Sequence, residues 1–204
     1  MKRLLLIIVG FSFLLAGCFG GKSVAPTYYL IEFPFDAEIS KENHSDEEDD
    51  PIPIHVLEID VHPAFASHEI AIREDSHEFR YFTNHKWTNR PEQNLAIFMQ
   101  NFFGQHDGFM IINPRKFALR DYYIVELYVN RLEVVKNGKQ YSAYLQMEIV
   151  LREGDTSKKV FKHVVNRSEP MKERNLNMFA AAVSRMFLEE LKLFSQNVEK
   201  ELVE

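Results

Sequence analysis

The chain has 204 residues, 46% of them hydrophobic and 13% aromatic, with seventeen phenylalanines, which is ample for a sizeable core and excludes a globally disordered chain. Its formal net charge is −6, from 24 basic and 30 acidic residues, so it lacks the basic excess that nucleic-acid binding requires. A single cysteine rules out any intramolecular disulfide.

The first segment is an export signal by pattern. Lys2 and Arg3 are followed by an apolar run over residues 4–15, interrupted only by Gly10 and Ser12, and small Ala16 and Gly17 precede Cys18. This is the layout of a secretory signal peptide over residues 1–17. About a dozen apolar residues fall short of the roughly 20 that a helix needs to cross the hydrocarbon layer, so a permanent transmembrane anchor is not expected. Leu15-Ala16-Gly17-Cys18 looks like the lipobox of bacterial lipoproteins. On that reading Leu15, Ala16 and Gly17 are recognised by the signal peptidase, and the Cys18 thiol takes up diacylglycerol. The expected cofactor list is then empty except for covalent lipid on Cys18, with acyl chains of the palmitate type. One chain binds membrane only reversibly, and several hold firmly. Two blander readings stand beside this one: a plain signal peptide containing a cysteine, and a buried free thiol.

Removing residues 1–17 leaves 187 residues with 22 basic and 30 acidic side chains, a net charge of −8. One domain of ordinary size is expected. Residues 18–26, with Gly20, Gly21 and Ser23, read as a flexible lipid tether. Phe19 follows the cysteine where, in well-studied diderm bacteria, an Asp retains lipoproteins in the inner membrane. That resemblance points to the outer membrane, with the domain facing the periplasm.

The domain is expected over residues 27–204. Tyr28 to Phe33 reads as a first strand, rich in aromatic and branched residues. Residues 36–51 then form an acidic loop: Asp36 to Asp50 holds eight acids against Lys41, closed by Pro51 and Pro53. Like charges in such a block repel and stay solvated. A calcium site is the sharper alternative, but Asp46 to Asp50 lacks the glycine turn and alternating ligands of a calcium loop. Without this loop the body has 21 basic and 22 acidic residues, so it is nearly neutral and carries no polybasic patch.

Ile54 to Val61, Glu69 to Arg73 and Glu78 to Thr83 read as strands, with Leu57, Ile59 and Val61 on one face of the first. Arg90-Pro91-Glu92 opens a helix, proline being favourable in the first turn. Its apolar face is Leu95, Phe98, Met99, Phe102 and Phe103, and Gly104 and Gly108 end it. After a brief strand from Phe109 to Ile112 comes the strongest β signal. Tyr122 to Lys136 and Lys139 to Arg152 flank Asn137-Gly138, a dipeptide suited to the positive φ angles of a tight hairpin. Apolar residues sit at odd positions from Tyr123 to Val129 but at even Leu132 and Val134, which predicts a bulge near Asn130. Lys159 to Asn166 is a further strand. Glu173 to about Leu202 is a long helix, with a stripe of Leu176, Phe179, Val183, Phe187, Leu191, Phe194, Val198 and Leu202 at helical spacing. The stripe suits packing on a sheet, with a coiled-coil contact to another chain as the alternative for its last two turns. The sum is an α+β fold, a single mixed or antiparallel sheet of about six to eight strands packed by two helices, the second long and C-terminal.

No catalytic motif accompanies these elements. The chain has eight histidines but no His-Glu-x-x-His, no Gly-x-Ser-x-Gly and no phosphate-cradling glycine loop. His62 with His68, or His77 with His85, could meet as ligands, but surface or strand-end histidines are the simpler reading. No catalytic, cofactor-binding or metal residue is therefore assigned, and enzyme chemistry is not expected.

The element order, read with its residues, resembles the ABC-type transport auxiliary lipoproteins of the PqiC (paraquat-inducible protein C) type. The resemblance is carried by Tyr28-Tyr29-Leu30, Ile54-His55-Val56 leading to Val61-His62-Pro63, and Glu69-Ile70-Ala71-Ile72-Arg73. It continues through Phe79 to Lys86-Trp87 before the first helix, where the family often has Arg-Trp, and through Phe179-Ala180-Ala181-Ala182-Val183. The acidic insertion and Lys86 depart from that pattern. Trp87 stands out as an anchor, either packing helix against sheet or touching a partner. What the resemblance implies is a noncatalytic accessory of an ABC transporter whose periplasmic component carries MCE (mammalian cell entry) domains and moves lipid between membranes. It further implies docking at the outer-membrane end of a periplasmic conduit, with assembly into a homo-oligomeric ring. The alternative function is a lipoprotein that assembles or regulates another cell-envelope machine, such as a synthase activator or a secretion-pore subunit.

Overall fold

The computed structural model describes residues 24–34, 50–57, 59–114 and 121–203. In chain order the elements are β1 (Thr27–Tyr29), β2 (Ile52–Val56), β3 (Asp60–Val61), β4 (Glu69–Arg73), β5 (Phe79–Trp87), α1 (Pro91–Gln105), β6 (Phe109–Ile111), β7 (Tyr123–Asn137), β8 (Gln140–Glu153), β9 (Lys159–Met171) and α2 (Leu176–Val203). The strands form one mixed sheet, so the fold is α+β as the patterning predicts.

The hairpin β7–β8 is the frame. Its strands pair antiparallel from Tyr123 opposite Glu153 to Asn137 opposite Gln140. The two turn residues are therefore Gly138 and Lys139, one position later than the expected Asn137-Gly138 pair. Gly138 has φ +58° and Lys139 does not share a positive φ, the pattern of a turn with glycine at its first central position. The predicted bulge lies between Val129 and Arg131. It carries the buried face from Val125, Leu127 and Val129 over to Leu132 and Val134, while Ala143, Leu145, Met147, Ile149 and Leu151 bury the matching face of β8. Strand β9 pairs antiparallel with β8 and runs five residues past the expected Asn166.

The other edge of β7 is occupied by three short parallel strands in succession. β2 lies beside Tyr123–Val125, β3 beside Tyr128–Val129 and β4 beside Glu133–Val135. The expected continuous strand from Ile54 to Val61 is thus broken. Four steps from Val56 to Asp60 run beside three from Val125 to Tyr128, and the extra residue reverses the parity of burial. Ile54 is buried, then Ile59 and Val61, whereas Leu57 is only half-buried. Beyond β2 lies β6, and beyond β4 lie β5 and then β1. The sheet forks from β7 into two arms whose rows, at Ile124 and Val134, are about 33 Å apart at ~3.3 Å per residue.

The first strand is shorter than expected. After Tyr29 the chain leaves β5, yet Ile31 and Phe33 remain buried. Helix α1 buries Leu95, Phe98, Met99, Phe102 and Phe103, and α2 buries its predicted stripe from Leu176 to Val198. The two helices meet where Phe98 packs edge-on against Phe187, with ring centroids 4.9 Å apart. Phe194 lies 5.9 Å from Phe161 of β9, and in the last two turns, where a coiled-coil contact is the alternative, Val198 is buried within this chain and Leu202 is partly buried against the same core. Helix α2 begins at Leu176 instead of Glu173 because Asn175 caps it. The Asn175 Oδ1 accepts from the Asn177 and Met178 backbone N–H groups at 2.9 and 3.2 Å, a cap that contributes about 0.5–2 kcal/mol.

Candidate functional site

Leu15, Ala16, Gly17 and Cys18 lie outside the described residues, as does the acidic loop up to residue 49. The described chain starts at Val24, six residues after Cys18. Trp87 ends β5, in register with Tyr29 of β1. It is 1% exposed, and its ring lies 5.6 Å from that of Phe179 on α2. Its backbone N–H donates to the His68 carbonyl at 2.7 Å. The side chain joins the β1 arm to the long helix, and a partner could reach it only through the residues that cover it.

Each histidine of the two pairs that sequence spacing left open has a hydrogen-bond partner of its own. His62 Nδ1 accepts from the Ala64 N–H at 3.2 Å, His68 Nδ1 lies 3.1 Å from the Trp87 carbonyl, His77 meets the Ser76 hydroxyl, and His85 meets the Tyr29 hydroxyl at 2.9 Å. Among the described residues no group of three or more His, Cys, Asp or Glu side chains could hold a metal.

Two charged clusters went unseen in the sequence because each is completed only across a gap of more than twenty positions. On the sheet face away from the helices, Glu133 is fully buried and accepts from Arg73 Nε at 3.0 Å and Arg131 Nε at 2.7 Å. Arg131 also stacks over Tyr144, 4.1 Å from the ring centre. Between β9 and α2, the nearly buried Glu190 holds His163 Nε2 at 2.7 Å and Arg167 Nη1 at 2.8 Å, while Arg167 Nη2 reaches Glu189 at 2.8 Å. Hydrogen bonds to Glu189 first and Glu190 second push the Arg167 guanidinium above its usual range, so it stays charged. Tyr128, hydrogen-bonded to Glu126 beside Arg152, has its phenol raised by that bond and by burial. These groups neutralise one another within the fold. Arg167→Met should therefore leave Glu190 with His163 alone and lower stability by about 1–3 kcal/mol, read as a reduced urea midpoint with an unchanged slope.

Several large apolar side chains are also exposed. Val24, Tyr28 and Leu30 are 65%, 57% and 42% exposed. Beside Leu30 a groove of about 550 Å³ runs between residues 30–34 and the first half of α2, with Phe33, Pro34, Ala181 and Leu188 in its walls. The segment is tied across it by the Glu32 N–H, which donates to Ser184 Oγ at 3.0 Å. On the other arm Met110 and Ile111 of β6 and Ile97 of α1 are also exposed. No helix among the described residues is long and apolar enough to cross a membrane.

The family described as ABC-type transport auxiliary lipoprotein component matches residues 35–191. Among solved structures, protein XCC0632 from Xanthomonas campestris is similar, with 14% identity, a TM-score of 0.67 and coverage of 85% of this chain and 99% of that one. An uncharacterized protein shows 11% identity and the same TM-score over 86% and 99% of the two chains. PelC of Paraburkholderia phytofirmans, solved as a dodecamer, gives 13% identity and a TM-score of 0.40 over 71% and 89%. At these identities the likeness is one of fold alone, and for PelC it carries no argument. No curated protein matches the chain.

Proposed function

The chain belongs to the ABC-type transport auxiliary lipoprotein family, and from that premise we propose that it is the noncatalytic, membrane-tethered docking component of an ABC transporter whose periplasmic partner carries MCE domains. The observation that carries this reading is the family match over residues 35–191, downstream of a lipobox-like tetrapeptide and the short segment read as a tether at residues 15–26. The charged clusters support the noncatalytic part, because their members are paired with one another inside the fold. Lipid on Cys18 places the docking module at one membrane, the outer one where Phe19 is read as a sorting signal. Restriction to a surface raises its effective concentration at the end of a periplasmic conduit without any added contact, and a ring of copies multiplies that effect.

Cross-linked membranes provide the test. Affinity purification of the full-length protein should recover an MCE-domain protein together with an ATPase and a permease. Recovery of a synthase or of secretion-pore subunits instead would favour the alternative envelope machine, and a wild type that is soluble and partner-free would overturn both.

A further inference from the structure

We propose that the β1 edge of the domain, centred on Tyr28 and Leu30, rests on the surface of the membrane that holds Cys18. The inference rests on the reading of Cys18 as acylated, and deepens it by giving the domain a fixed orientation on the bilayer.

Tether length is the first argument. Val24 is six positions after Cys18, a reach of at most ~21 Å when fully extended and about 13 Å as a flexible coil. Acyl chains hold the backbone of Cys18 at headgroup depth, so Val24 and the strand after it remain close to the interface. The second argument is chemistry. Of the nine large apolar side chains exposed among the described residues, Val24, Tyr28 and Leu30 fall within seven consecutive positions. Tyrosine suits this location, since its ring is apolar and its hydroxyl stays wet. Residues 18–31 contain no acid and one base, Lys22, although the mature chain as a whole is acidic. Lys86 lies beside Tyr28 in register on β5, placing an ammonium where lipid phosphates would be. Nothing in this stretch repels an anionic surface.

The contact is shallow for a physical reason. β1 pairs with β5 alone, and its free edge of backbone N–H and C=O groups cannot enter hydrocarbon without losing hydrogen bonds. At the headgroups those groups remain hydrated while the Tyr28 and Leu30 side chains reach inward. The exposed residues on β6 belong to the other arm of the sheet and are not brought down by the same tether.

The lone cysteine makes the test clean, because an acylated Cys18 leaves no free thiol. Full-length Tyr28→Cys, Leu30→Cys and Val164→Cys variants would each take one environment-sensitive fluorophore and be reconstituted into phosphatidylcholine–phosphatidylglycerol vesicles containing nitroxide-labelled lipid. Val164 is 61% exposed on β9, at the far edge of the sheet. Labels at 28 and 30 should be quenched by shallow nitroxides at least about twofold more than the label at 164, as expected for side chains at the interface. Equal quenching at all three positions, with the wild type unlabelled and floating with the vesicles, overturns the orientation and leaves the lipid anchor intact. A wild type that accepts the fluorophore and fails to float overturns the anchor, and the orientation with it.

Discussion

Trp87→Ala is expected to lower the stability of the domain by about 3–5 kcal/mol, the range for removing a large aromatic from a closed core. The indole is 1% exposed and lies between the end of β5 and Phe179 of α2, so its removal leaves a cavity that neither a strand nor a long helix can move to fill. Domains of this size are stable by only about 5–15 kcal/mol, which makes this a loss of roughly a fifth or more. Local consequences should also reach β1. Thr88, the next residue, donates both its backbone N–H and its hydroxyl to the Tyr29 carbonyl, at 2.8 and 3.0 Å. Loosening the end of β5 therefore loosens the strand that receives the tether. Trp87→Phe keeps most of the ring contact and should cost less than about 2 kcal/mol. Urea unfolding followed by circular dichroism measures both, since the chain has no second tryptophan to report by fluorescence. A loss below ~1 kcal/mol for Trp87→Ala would mean the indole is less enclosed than described.

The parts of this fold that could be read from the sequence are those where a periodic pattern runs long enough to outvote its exceptions. The stripe of α2 has eight members at spacings of three and four, and the residues from Leu176 to Val198 are buried as that spacing requires. The bulge at Asn130 was legible for the same reason, as a parity change inside a long alternating strand. Short elements were misread where one extra residue decides the geometry. Between Val56 and Asp60 the insertion that breaks β2 from β3 is visible only against β7, a partner some seventy positions away. β1 is shorter than its composition suggests because residues 30–34 leave β5 for α2, with Ser184 accepting from the Glu32 N–H. Local β propensity does not contain that tertiary contact.

Site residues divide along the same line. The reading of Cys18 as a lipidation site rests on a contiguous pattern, Leu15-Ala16-Gly17-Cys18, and lies outside the described residues. The Glu190 and Glu133 clusters have no such contiguous pattern, because each joins residues more than twenty or fifty positions apart. Burial of paired charges contributes little net stability compared with a well-packed apolar core, although breaking such a pair is costly. Their place in this molecule is to close the β9 side of the helix layer and the outer sheet face with fixed partners. Exposed large apolar side chains lie on both the β1 and the β6 arms, as well as at Val164 of β9 and Leu193 of α2.

Replacing Cys18 by alanine should have the largest functional effect, a shift of essentially all the protein from the detergent phase to the aqueous phase on detergent partitioning. Each buried CH₂ of an acyl chain adds roughly 0.8 kcal/mol, and even one myristoyl-sized chain binds membrane with a constant near ~10⁴ M⁻¹. Several chains on one residue therefore exceed any contact that Val24, Tyr28 and Leu30 can make from a protein surface. The comparison is cleanest if residues 1–17 are exchanged for a non-lipoprotein export signal, so that the Cys18→Ala chain is still cleaved and reaches the same compartment. The domain itself should be unaffected, with the same urea midpoint as wild type, because the first buried residue among those described is Ile31, thirteen positions after Cys18. A residual, weak attachment to vesicles by the β1 edge is compatible with this outcome, provided that it is reversible on dilution. Firm membrane attachment of the Cys18→Ala protein would instead place its anchor elsewhere in the chain. Under the docking role proposed above, loss of an MCE-domain protein from cross-linked membranes should accompany the shift, since the folded domain survives but is no longer concentrated at the membrane.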